Sequence, residues 1–231
     1  MILSYREYSD FNEMDVRSKI RQKKQVKYFS PETAAVISEL ADLFAAHEIA
    51  LDTPFYFALC KRVFPDKLPD TFNEKEVQKH TNYEDAIKMA FDYGIELETM
   101  NETGAREMIR EKVLHSGKFS SEKFSQNIIS ELSPIDQFKT ISNMAVSFVS
   151  IVFDMHGDNV TVYESSRALL FHAITSVKER VLIGAVQARW DGKIRTGLAL
   201  ASPEELSRSR YLTEDVAAIE MFSNWQAQGF H

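Results

Sequence analysis

The stretch Gly157-Asp158-Asn159-Val160-Thr161-Val162-Tyr163-Glu164-Ser165-Ser166-Arg167-Ala168-Leu169-Leu170 decides the fold. Gly157-Asp158 reads as a turn, and the β-branched run that follows reads as a short strand broken by two serines. Leu169, Leu170, Ala173, Ile174 and Val177 then recur at helical spacing, with Ser165 placed as the N-cap. The pattern predicts a buried strand feeding directly into a helix, with small polar side chains exposed at the joint. Backbone N–H groups and the helix dipole at such a joint favour a nucleophile or a developing negative charge. Val181-Leu182-Ile183-Gly184-Ala185-Val186 follows as a second apolar strand, so the whole predicts a right-handed βαβ unit of a parallel sheet.

Working outward, 231 residues are enough to bury the core of one domain with an appended subdomain. A formal net charge of -7 argues against a general nucleic-acid binder. One cysteine, Cys60, excludes an internal disulfide framework and fits a reducing interior. The first residues lack the long apolar region of a signal peptide, and the most apolar segment, Ala145 to Phe153, is too short to span a bilayer. A cytoplasmic protein with no membrane span is therefore expected.

The N-terminal residues predict an edge strand, followed by a cation-rich stretch from Arg17 to Lys27. That stretch reads as a solvated surface or as a docking patch for an acidic partner. Ser30-Pro31-Glu32 predicts a helix start, and Val36, Ile37, Leu40, Leu43 and Phe44 give that helix one apolar face. Phe55 to Cys60 reads as a buried central strand, with Cys60 an inert small hydrophobe. From Phe64 to Ser130 the character changes to charged, amphipathic helical patterns, notably Tyr83 to Tyr93 and Glu102 to Leu114, which predict a helical insertion or cap over 64–130. Phe138 to Phe153 predicts an apolar, buried helix with Asn143 as a polar residue that needs a partner. Thr196 to Ala201 gives a last strand, Ser202-Pro203 starts a helical turn, and Thr213 is placed to cap a final helix through Val216, Ile219 and Phe222. His47-Glu48 lacks a second histidine four positions on, and His80 and His115 have no ligand-spaced neighbours. No metal and no cofactor is expected.

Ser133-Pro134-Ile135-Asp136, Ser142-Asn143-Met144-Ala145 and His156-Gly157-Asp158-Asn159-Val160-Thr161-Val162 together resemble the N-terminal half of a β-ketoacyl synthase. The resemblance is nearest to the short, chain-length-factor-like proteins of aryl polyene clusters, and it covers residues 133–186 best. It implies an α/β, thiolase-like half fold over 1–231, a mixed sheet covered by helices. It also puts Ser166 at the position of the family's reactive cysteine, with Ser165 beside it. A one-residue slip exchanges the two serines. The family's two catalytic histidines come from a second half of the fold that these residues do not contain.

A serine needs a base and an oxyanion site to act as a nucleophile. Glu164 is two residues from Ser166, His172 lies on another face of the same helix, and Glu164 and Ala168 stand where a hydrolase elbow needs glycine. The resemblance therefore implies a non-condensing subunit that pairs with an active β-ketoacyl synthase, or with a second copy of itself, and works with an acyl carrier protein. Phe138, Asn143, Met144, Phe148, Val160, Val162, Tyr163, Glu164 and Ser165 are the residues expected along an acyl tunnel or subunit interface. The alternative is an acyltransferase, hydrolase or decarboxylase that acts on acyl thioesters through Ser166.

Overall fold

The structure, a computed structural model, describes residues 1–9, 11, 13–61, 114–115, 118–119, 144–189 and 193–229. The chain divides into two compact units, Met1–Val63 with Ile141–His231, and Phe64–Thr140. In the second unit the described residues form two short antiparallel strands, β3 (Leu114–His115) and β4 (Lys118–Phe119), within the segment expected to be helical. The helices expected at 83–93 and 102–114 lie outside the described residues, apart from Leu114.

The first unit is an α/β layer structure built on a mixed five-stranded sheet. Its elements are β1 (Ile2–Tyr8), α1 (Glu13–Lys19), α2 (Pro31–Ala46), β2 (Phe55–Leu59), α3 (Met144–Phe153), β5 (Asn159–Tyr163), α4 (Ser166–Ile174), β6 (Val181–Ala188), β7 (Ile194–Ala201), α5 (Pro203–Ser207) and α6 (Ala218–Ala227). The strand order is β1-β7-β6-β2-β5. β2 runs parallel to both β5 and β6, whereas β7 is antiparallel to β6 and to β1. The parallel βαβ pattern is thus present, with β2 inserted between β5 and β6.

Burial along the strands follows from that order. All eight residues of β6 are buried, as are Phe55 to Ala58 of β2, because helices cover both faces of these central strands. Alternation sends Phe55, Phe57, Leu182 and Leu198 to the face packed by α2 and α3, and Tyr56, Ala58, Ile183 and Ala199 to the face packed by α4 and α6. β5 is not the buried strand that its sequence suggested. It ends the sheet among the described residues and is exposed at both tips, because its position beyond β2 leaves one edge uncovered.

The helix starts obey local chemistry where a side chain is available. Ser30 Oγ accepts the Thr33 N–H at 3.1 Å with Pro31 at the first helical position, and Ser202 and Glu205 form a reciprocal capping box. Thr213 does not cap α6. Its hydroxyl donates to the Arg210 carbonyl at 2.8 Å, and α6 begins five residues later with the Ala218 N–H donating to the Glu164 carbonyl at 2.6 Å. α3 buries Ala145, Val146, Phe148 and Val149 but leaves Ile151 46% exposed, so it covers the sheet with one face and is not enclosed. Phe138 and Asn143 lie outside the described residues. The cation-rich stretch closes α1 and forms a 3-10 turn, Lys23–Tyr28, with Arg17, Arg21, Lys23 and Lys24 exposed.

An ionisable side chain sits inside the α2 face. Glu39 is 1% exposed, the Thr196 hydroxyl donates to its Oε2, and among the described residues its Oε1 and the nearby Tyr8 hydroxyl have no hydrogen-bond partner. Burial pushes the Glu39 carboxyl above its ordinary range, against the Ser4, Thr196 and Arg6 interactions that favour the anion. A raised folded-state value contributes stability that is present at low pH and lost as pH rises through it. Glu39→Gln, which cannot ionise, is therefore expected to gain on the wild type as pH rises from 5 to 9. Urea unfolding at both ends of that range checks this, and a pH-independent difference would contradict it.

Candidate functional site

The strand-to-helix joint is the site that the sequence singled out. At its centre Glu164 has φ +66°, the left-handed region that costs a residue with a Cβ about 1 kcal/mol or more. Three hydrogen bonds hold it there. Its N–H donates to Leu59 O at 3.0 Å, its carboxylate accepts the Lys61 N–H at 2.8 Å, and its carbonyl accepts the Ala218 N–H. The Glu164 carboxylate is thus engaged with the backbone after β2.

The two serines take distinct places. Ser165 is the N-cap of α4, its Oγ accepting the Ala168 N–H at 3.0 Å. Ser166 is the first helical residue and is 0% exposed, which corrects the expectation that the joint presents its small polar side chains to solvent. Both hydroxyls donate to Asp215, Ser165 at 2.9 Å and Ser166 at 3.2 Å to Oδ1. Ser166 Oγ also accepts the Val216 N–H at 3.1 Å. The Arg167 N–H, a donor at the α4 N-terminus, goes to Asp215 Oδ1 at 3.0 Å, and the Arg167 guanidinium donates to Thr213 O at 2.6 Å. Ser166 N–H to Val216 O at 2.9 Å and a Ser165–Ala217 bridge complete an antiparallel splice. Burial opposes ionisation of Asp215, yet the Arg167 N–H and the two serine hydroxyls outweigh it and hold the carboxyl below its usual range.

A carboxylate that ionises so readily is a weak general base for a hydroxyl. His172 is turned to Tyr56, the rings stacked with centroids 6.1 Å apart. Cys60 is buried and its thiol is pushed up to about 12, chiefly by burial, so it is a structural residue as its sequence context suggested. Among the described residues no three His, Cys, Asp or Glu side chains are grouped to hold a metal, and no helix is long and apolar enough to cross a membrane.

The other candidate residues fall into separate places. Phe148 is buried with its ring 4.8 Å from Phe29, and Met144 packs beside it on the α2 face. Val160 and Val162 pack on the opposite face with α4, and Tyr163 is 63% exposed at the end of β5. The structure therefore brings together Glu164, Ser165 and Ser166 but divides the apolar candidates between the two sides of the sheet. Asp215 escaped the sequence reading. It lies 49 residues beyond Ser166, and no motif spacing links Thr213-Glu214-Asp215 to a serine pair. No protein-family model and no curated protein matches this chain.

The lowered Asp215 value fixes a sign. Its contribution to stability is present above the unfolded carboxyl value of about 3.9 and lost as pH falls through the folded one. Asp215→Ala is expected to cost about 1 kcal/mol at pH 7, the range of a lost capping side chain. That difference should shrink below pH 4, as read by denaturant unfolding.

Proposed function

We propose that this chain is a non-condensing, ketosynthase-like subunit whose sheet is the N-terminal-type half of a thiolase-like fold. It pairs with an active β-ketoacyl synthase in fatty-acid, aryl polyene or polyketide assembly. The observation that carries the reading is the closed elbow. Ser166 stands where the resemblance puts the reactive cysteine, yet it is wholly buried and its hydroxyl is committed to Asp215 and Val216. The frame around it runs α3, β5, the joint, α4 and β6 in chain order, an arrangement compatible with this reading.

Among the described residues no strand pairs with the outer side of β5, which supports a partner there. Asp158 O and Glu164 N–H both face β2, so alternation along the strand turns the backbone groups of Asn159 and Thr161 outward. Outward N–H and C=O groups on an edge strand are a template for a strand of another subunit. α3 and α4 flank β5 and expose Ile151 and Phe171, which gives the edge apolar margins. The acyl chain would reach the assembly as a thioester on an acidic carrier protein, for which Arg17, Arg21, Lys23 and Lys24 offer exposed positive charge. Met144, Phe148 and Tyr163 then belong to the tunnel wall or interface.

The second reading, an acyl ester formed on Ser166, rests on the 3.2 Å contact between its hydroxyl and Asp215. Intact-mass spectrometry with acyl-loaded carrier protein separates the two, because an adduct lost in Ser166→Ala belongs to the second reading alone.

Co-expression with ketosynthases of the same genome is expected to yield a stable heterodimer under native conditions. Thr161→Pro removes an outward N–H and leaves the β2 side of the strand intact, a position where edge strands tolerate proline. It should cut heterodimer yield about tenfold, since 1.4 kcal/mol is a factor of ten in binding. The circular dichroism spectrum of the lone chain should be unchanged. If no ketosynthase co-purifies, the pairing is wrong.

A further inference from the structure

We infer that residues 213–218 form a strap that keeps the elbow closed, with the Asp215 carboxylate as the resident anion at the α4 N-terminus. The elbow is thus disabled by a contact as well as by the absence of a cysteine. The inference rests on the reading of residues 164–166 as a former nucleophile site, and it adds the device that shuts it.

The donors show how this works. At a helix N-terminus the first N–H groups have no partner inside the helix, and they are the groups that would stabilise a thiolate or an oxyanion. Here the Arg167 N–H goes to Asp215 and the Ala168 N–H to Ser165 Oγ. Asp215 is exposed while Ser166 is wholly buried, so the carboxylate is the outer member of the cluster. The strap is held at both ends, by the Arg167 guanidinium on Thr213 O and by the Ala218 N–H on Glu164 O, with Ser166 and Val216 exchanging backbone and side-chain bonds between them. Any nucleophile at 166 would therefore lie against a fixed negative charge and lose the helix donors that would otherwise activate it. Among the described residues the ionisable groups around position 166 come from three places. Asp215 comes from the strap and Arg167 from α4, Glu164 is engaged with Lys61 N–H, and His172 is stacked on Tyr56.

A thiol placed at this position reads the strap directly. In Ser166→Cys, iodoacetamide alkylation follows thiolate displacement of iodide, the S–C bond forming as C–I breaks and the thiol proton passing to buffer. The wild type, whose one thiol is the buried Cys60, sets the baseline. Ser166→Cys is expected to react slowly at pH 7, with a rate midpoint above the ordinary thiol value of about 8.5. Ser166→Cys with Asp215→Asn keeps the shape and removes the charge. It should react about tenfold faster at pH 7, with the midpoint moved down by about one pH unit. Ser166→Cys with Arg167→Ala frees the Thr213 end and leaves the carboxylate, so its rate should rise while its midpoint stays nearer that of Ser166→Cys. Equal rates and midpoints in all three cysteine variants would overturn the inference, as would a fast, low-midpoint thiol in Ser166→Cys alone. Circular dichroism melting of each variant shows whether a fast reaction comes from the folded chain, and a rate gain confined to unfolded protein counts against the strap. Because alkylation is read on the lone protein, failure to find a ketosynthase partner would sink the proposed function without touching this result.

Discussion

The splice between residues 164–166 and 216–218 is the constraint on which the α4–α6 side depends. The Glu164 backbone is joined on one side to the end of β2 and on the other to the first turn of α6. Its left-handed turn is thus fixed by Leu59 and Lys61 on one side and Ala218 on the other, all far from it in sequence. α6 in turn fills the sheet face with Ile219, Met221, Phe222 and Trp225. Phe222 comes so close to β7 that a Cβ at Gly197 would lie 2.4 Å from its ring, so a glycine there is what lets the helix seat. Loosening the splice would move the elbow and α6 together.

The rest of the first unit is held by two apolar layers on one sheet, with a polar exception in each. On the α2 face the exception is Glu39, enclosed and bonded to Thr196. On the other face it is Arg195, which joins Tyr5, Gln187 and Glu220 and so ties β1, β6, β7 and α6. A largely enclosed guanidinium with that many acceptors is satisfied, whereas among the described residues Glu39 keeps one oxygen without a partner. Burial thus opposes ionisation of the carboxyl in the α2 layer, whereas the guanidinium of the other layer is matched by its acceptors.

Much of this was legible from the order of residues. The unbroken apolar runs of β2 and β6, the Ser30-Pro31 start of α2, the Ser165 cap and the Ser202 capping box each depend on neighbours a few residues apart, which a linear reading can see. What failed was long-range. β5 has the composition of a buried strand, and its edge position follows from the insertion of β2, which no local pattern encodes. Thr213 looks like a cap because Thr is a good one, but the Glu164 carbonyl takes up the donor that starts α6. Asp215 was invisible for the same reason, since its meaning comes from a contact across the fold.

That contact also explains how a serine can persist at position 166. A hydroxyl with no solvent access needs both an acceptor and a donor, and an unmet one would cost about 1–3 kcal/mol. Asp215 Oδ1 and the Val216 N–H meet both needs. An aliphatic side chain there would leave the Val216 N–H short of its partner and remove one of the groups that hold the carboxylate. An open, reactive joint would instead require the strap to give up the Arg167 and Ala218 bonds at once. The polar residues of the joint are thus explained by mutual satisfaction, and chemistry at Ser166 is not needed to account for them.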